Sequence, residues 1–207
     1  MNKKTLIVAV ALAAQVAAIC WLIWRYERVV SQGSEVRFAC QAYDPYDPLR
    51  GRYLRTRVSE DCTNMTFRVC ETNRYEFRNT LFARLEPSGT NGLWRVAEVA
   101  VEPGAEGLWV RPKSSSIDYR LEWSEQKKDE KWDDFNKRQK KSGLKAVVTF
   151  PDQLFINEKL APEAEKVLRQ HTGKSAVAVY RVLNGEMVIT DIEIDGRPIA
   201  QFTREAK

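Results

Sequence analysis

Residues 175–194 read SAVAVYRVLNGEMVITDIEI. Two runs rich in β-branched residues alternate inward and outward positions, and between them stands Asn184-Gly185, the dipeptide best suited to the left-handed backbone of a two-residue type I′ turn. The stretch predicts a β-hairpin, SAVAVYRVL against EMVITDIEI. Asp195-Gly196 turns the chain again, toward Pro198 to Phe202. A hairpin of this strength near the C-terminus sets the class as mainly β (α+β), an antiparallel barrel or sandwich with one helix in its C-terminal half.

Working back from the hairpin, Leu160 to Gln170 reads as a helix. Pro162 suits its first turn, and Glu163 and Glu165 favour its N-terminal end. Leu160, Ala164, Val167 and Leu168 form its apolar stripe, Gly173 can end it, and His171 falls where an imidazole meets the last carbonyls. Upstream, period-two alternation returns. In EVRFACQA (35–42) Val36, Phe38, Cys40 and Ala42 share a face, and over 53–59 Leu54, Thr56 and Val58 oppose Tyr53, Arg55 and Arg57. Thr80 to Leu85 and Trp94 to Val101 bracket Pro87, Gly89 and Asn91-Gly92 as a hairpin with a longer loop.

Ile117 to Trp123 and Lys145 to Phe150 form a further pair around a charge-dense insert between Glu122 and Lys141. There Lys128, Trp132, Phe135 and Gln139 fall on one side of a short amphipathic helix. The insert reads either as a solvated excursion or as an element that touches a partner or a membrane.

At the other end, Thr5 to Trp24 (TLIVAVALAAQVAAICWLIW) is free of charge and long enough to cross about 30 Å of hydrocarbon. It is longer than the apolar core of a cleaved signal, so an anchor is expected. Ile19 before Cys20 does not suit a lipidation site. Lys3 and Lys4 precede the span, and Arg25, Glu27 and Arg28 follow it. Counting Lys and Arg over a short tail leaves the N-terminus in the cytoplasm, with Trp21, Trp24 and Tyr26 at the outer headgroup level. The expected division is therefore 1–28 as a short cytoplasmic tail and transmembrane anchor, and 29–207 as a single extracytoplasmic domain. This is a single-pass protein of the cytoplasmic (inner) membrane.

The chain of 207 residues has 33 Lys and Arg against 28 Asp and Glu, a formal net charge of +5. Much of that excess lies beside the span, and over the remaining domain the signs nearly balance, so nucleic acid is not an expected partner. With 43% hydrophobic residues there is material for a core. Cys40, Cys62 and Cys70 would face an oxidising compartment, with Cys62–Cys70 the preferred bridge and Cys40 a competitor. No C-x-x-C occurs, and H-E-x-x-H, P-loop, G-x-G-x-x-G and EF-hand patterns are absent, so neither a metal nor a cofactor is expected.

The densest local signal is DPYDPLRGRY, residues 44–53. Asp44 and Asp47 suit turn caps, Pro45 and Pro48 stiffen them, Arg50 can pair with a carboxylate, and Gly51 permits a backbone angle other residues avoid. The stretch resembles the signature region of the GDYXXLXY family, membrane-anchored bacterial proteins of uncharacterised function. Asp44, Pro45, Asp47, Pro48, Leu49, Arg50, Gly51 and Tyr53 match. Arg52 stands at the acidic position, Thr56 at the leucine and Val58 at the final aromatic. Two further stretches are similar to the family: FPDQLFINEKLAPEAEKVLRQ, with Phe155, Glu158 and Glu165, and the ending VITDIEIDGRPI. The resemblance implies an anchored extracytoplasmic domain, often encoded near polytopic membrane proteins, and implies no activity.

A single span followed by a β domain with a glycine turn also resembles signal-peptidase-like serine proteases. No serine occurs between Glu35 and Val58, so that nucleophile is missing. The expected function is a noncatalytic binding or accessory module for another membrane or envelope component, a polytopic membrane protein being the implied partner. Asp44, Asp47, Arg50 and Tyr53 are its candidate contacts on a rigid loop. The alternative is an envelope enzyme or ligand-binding module acting on a cell-surface polymer through the same loop.

Overall fold

The structure, a computed structural model, describes residues 3–42, 53–65, 81–89, 92–122, 140–157, 159–171 and 175–205. Helix α1 (Lys3–Gln32) contains the expected span and continues past it into the domain. It is the one helix among the described residues long and apolar enough to cross a membrane, and none of its apolar window is buried by protein. The strands follow as β1 (Ser34–Ala39), β2 (Gln41–Ala42), β3 (Tyr53–Arg57), β4 (Ser59–Cys62), β5 (Phe82–Pro87), β6 (Trp94–Ala100), β7 (Leu108–Val110), β8 (Ser114–Glu122), β9 (Lys140–Thr149) and β10 (Gln153–Phe155). Helix α2 (Ala161–His171), β11 (Ala176–Leu183), β12 (Glu186–Ile194), β13 (Arg197–Pro198) and helix α3 (Ile199–Glu205) complete the chain.

The hairpin of β11 and β12 forms as expected, with Leu183 opposite Glu186. Asn184 and Gly185 have φ of 51° and 82°, the left-handed angles the turn demands. β1 pairs along β11 from Ser34–Val182 to Ala39–Val177, and β13 closes the other edge. Val36, Phe38, Ala178, Tyr180, Ile192 and Ile194 are buried, as the alternation requires. Phe38 stacks against Phe150 with centroids 4.8 Å apart and meets Tyr180 edge-on at 6.1 Å.

The strands pair antiparallel, as expected of a mainly β (α+β) fold. Among the described residues four antiparallel sheets of three or four strands share one core, in the orders β1-β11-β12-β13, β10-β3-β2, β4-β9-β8 and β6-β5-β7, and none of them is closed into a barrel. The reason lies at corners where a strand leaves one sheet for the next. β4 pairs β9 with Ser59 opposite Thr149, and β3 pairs β10 with Arg55 opposite Gln153, so the register carries through the corner unbroken. Two backbone bonds hold it: Phe150 N–H donates to Val58 O at 3.2 Å, and Thr56 N–H to Asp152 O at 2.9 Å. Pro151 stands at the bend, and without an N–H it cannot extend the ladder. Cys40 marks a similar corner between β1 and β2, its N–H donating to Ala176 O at 3.0 Å.

Two further features concern the C-terminal part and the joint below it. The C-terminal half carries a second helix where only one was expected. Only Arg197–Pro198 pairs with β12, and α3 begins at Ile199. Ile199 and Thr203, four residues apart, are both fully buried, which is helical spacing. Helix α1, for its part, does not stop at the membrane edge. Its last turns pack on β11 and β12, with Val29 buried. Gly33 then carries the chain into β1, its N–H donating to Val29 O at 3.0 Å. A Cβ on Gly33 would lie 2.4 Å from Val29 O and 2.9 Å from Val182 N, so only glycine allows this approach.

Candidate functional site

The signature loop connects β2 to β3, which pair with Ala42 opposite Thr56. Asp44, Pro45, Asp47, Pro48, Arg50 and Gly51 lie outside the described residues, as does most of the charged insert. Tyr53 is described as the first residue of β3, where its backbone pairs in register with Phe155 of β10. Phe155 is 72% exposed, an aromatic at the sheet end from which the loop departs.

Beside that end the structure brings together residues distant in sequence. A cleft of about 250 Å³ is lined by Arg55, Arg57, Lys113, Ser114, Thr149 and Asp152. Strand alternation dictates its β3 wall: Leu54, Thr56 and Val58 point into the core, which turns Arg55 and Arg57 outward. Asp152 stands opposite. Its carboxylate accepts from Arg55 Nε at 2.8 Å and from Lys113 Nζ, and its side chain is only 12% exposed. Burial pushes the Asp152 carboxyl up, but the hydrogen bonds and charges of Lys113 and Arg55 outweigh it and hold it below the usual carboxylate range.

Asp152 is placed by the core beneath it. The buried Tyr180 phenol donates to Pro151 O at 2.9 Å, and Thr56 N–H holds the Asp152 carbonyl. Burial, followed by the nearby Cys40 and Asp152, raises the Tyr180 phenol well above its ordinary range. The Thr56 hydroxyl is buried beside the Tyr180 phenol, whose oxygen remains free to accept from it while its proton goes to Pro151. Burial likewise pushes the Cys40 thiol up to about 12, so it is an inert core group rather than a nucleophile. Cys62 is also a buried free thiol, its Sγ donating to Asn64 O at 3.4 Å, and the Cys70 expected to bridge it lies outside the described residues.

What can this arrangement do? Two arginines, a lysine and one carboxylate leave the cleft cationic, and Arg57 has no ion pair among the described residues. Ser114 and Thr149 add hydroxyls at its edge. Such a cleft can receive a carboxylate or phosphate, for which arginine forks are suited. His171 stands apart, its Nδ1–H donating to Val167 O at 2.9 Å at the end of α2. Sequence reasoning set Arg55 and Arg57 on the outward face but missed Lys113 and Asp152. The usable signal was Pro151-Asp152 directly after a buried strand, a corner whose carboxylate needs a partner.

No curated protein and no solved structure matches the chain. A family model does match, that of the GDYXXLXY protein, over residues 15–192. That match takes in the outer half of the span, both walls of the cleft and the hairpin, and with it the chain belongs to the GDYXXLXY family.

Proposed function

We propose that the protein is a membrane-anchored, noncatalytic binding module. Its extracytoplasmic domain is held at the bilayer surface, where it engages another membrane or envelope component through the loop Asp44 to Tyr53. The observation that carries this reading is the joint between anchor and domain. Arg25 Nε donates to Glu186 at 3.0 Å, Val29 is buried, and Arg181 donates to Gly33 O at 3.1 Å, so the end of α1 is seated against the sheet. A domain fixed in this way meets partners that lie in or against the same membrane. Lys3 and Lys4 support an N-terminus in the cytoplasm and a domain outside it. The implied partner is a polytopic membrane protein.

The test is crosslinking in intact membranes followed by mass spectrometry, with wild type, Asp47→Ala and Arg50→Ala at matched accumulation. The expected result is one membrane protein captured by wild type and depleted at least several-fold in both variants. Capture unaffected by either substitution would remove the loop from the contact. Absence of any specific protein would remove the binding reading itself. A second reading, recognition of an anionic cell-surface polymer, is favoured by the cationic cleft of Arg55, Arg57 and Lys113. It predicts binding of the full chain to polyanionic envelope polymers that is weakened by Arg57→Gln and by salt.

A further inference from the structure

Where α1 meets the domain, a groove of about 400 Å³ opens between Leu22, Arg25, Tyr26 and Val29 on the helix and Arg111 and Met187 on the domain. Its height in the bilayer follows from helix geometry. With Thr5 to Trp24 across the hydrocarbon, Arg25 stands about 1.5 Å and Val29 about 7.5 Å beyond its edge, at 1.5 Å per residue. The headgroup layer is about 5–7 Å thick on each side. The groove therefore lies at headgroup depth. The Arg25–Glu186 ion pair brings the start of β12, and with it the Asn184-Gly185 turn, down to the same level.

The chemistry of the groove is divided in the way a lipid is. Leu22 is exposed on the membrane side, and Val29 and Met187 supply buried apolar surface. The cations are unequally engaged. Arg25 is neutralised by Glu186 and lies over Trp21, 5.5 Å from the ring centroid, while Arg28 lies over Trp24 at 5.3 Å, outside this groove. Arg111 is exposed and has no ion pair among the described residues. Its backbone N–H donates to Gly185 O at 2.8 Å, which fixes it beside the turn. The groove thus offers one uncompensated guanidinium above an apolar wall continuous with the lipid-facing side of the helix.

We propose that this groove binds an anionic phospholipid, with its phosphate on Arg111 and its acyl chains along Leu22. Charge complementarity and continuity with the hydrocarbon argue for this occupant. A free phosphate would gain nothing from Leu22 and Val29. A guanidinium at headgroup depth attracts acidic lipid, and its forked donors suit a phosphate.

The inference rests on the anchored reading, and the experiment separates the two. The full chain is reconstituted in nanodiscs made from equal amounts of phosphatidylglycerol and phosphatidylcholine, and the lipids it retains are read by native mass spectrometry. Wild type is expected to retain phosphatidylglycerol with about fivefold preference, as for one added cation near an acidic surface. Arg111→Gln should abolish that preference and Arg111→Lys should keep most of it. Arg95→Gln, on the β5–β6 hairpin, should change nothing. Equal retention of both lipids by wild type overturns the proposal, as does a preference that survives Arg111→Gln. Failure of the anchored reading looks different: the intact chain would not enter the nanodisc at all.

Discussion

The sheet β1-β11-β12-β13 and the sheet β10-β3-β2 hold the same core by different means. In the first, three strands of six to nine residues carry an apolar side chain at nearly every inward position, a two-residue turn sets the register, and only the edge strand β13 is short. In the second, strands of two to five residues are too short for alternation to fix anything, and alignment depends on the corner at Pro151. There a buried phenol, a backbone amide and two ion pairs take over the work of a ladder. The lesson is a division of labour. The long sheet supplies rigidity and the seat for the membrane helix, and the short one supplies outward charge next to the signature loop.

That division is broken most directly at Phe150, the residue both regions share. It is fully buried, stacks on Phe38, and directly follows β9 at the entry to the corner. Phe150→Ala should cost about 3–5 kcal/mol, the range for a large aromatic truncated in a packed core. Chemical denaturation of the full chain in micelles, followed by tryptophan fluorescence, checks it. A loss below about 1 kcal/mol would mean that the two sheets do not share a common packed centre.

A smaller effect is expected where the long sheet receives the helix. Gly33→Ala places a methyl against Val29 O and Val182 N, both backbone atoms that cannot rotate away. The expected cost is about 1–3 kcal/mol, as for overpacking, and it should be confined to the joint. Limited proteolysis should cut between α1 and β1 in the variant several-fold faster, while the fluorescence transition of the domain moves little. Equal cutting rates would show that the joint tolerates the methyl and that α1 is not held by this contact.

The two regions also differ in how readable they were. The hairpin, β1, the span and α2 follow from local periodicity, since Val36, Phe38, Tyr180 and Ile192 announce a buried face by spacing alone. The outward turn of Arg55 and Arg57 was legible for the same reason. Their partner was not. Asp152 lies about a hundred residues along the chain from Arg55, and Lys113 is brought in by a third strand. Such pairings depend on sheet order, which no local pattern carries. The division into four sheets was hidden on the same point, because a corner at one proline changes neither strand length nor alternation. α3 was missed because it is only seven residues long, and the single buried pair Ile199 and Thr203 is too little for a helical period to show.

The smallest effect, and the one that sharpens the comparison most, is Asp152→Asn. The amide keeps the shape and an acceptor oxygen but removes the charge that Arg55 and Lys113 bind. Both cations are a third to a half exposed, so screening limits the loss to about 1 kcal/mol at neutral pH. The sign with pH follows from the lowered carboxyl. A group held below its unfolded value stabilises the fold fully above that value and loses this contribution as acidification protonates it. The gap between wild type and Asp152→Asn should therefore be constant from neutral pH to about pH 5 and close below about pH 4, the range of an ordinary aspartate. Denaturation midpoints at pH 7 and at about pH 3, with and without added salt, read this directly. A gap that persists in acid would assign the corner to shape alone. A gap that closes in acid and shrinks with salt would mark the short sheet as the region held by charge, in contrast to the long sheet, whose response to Phe150→Ala should show no such dependence.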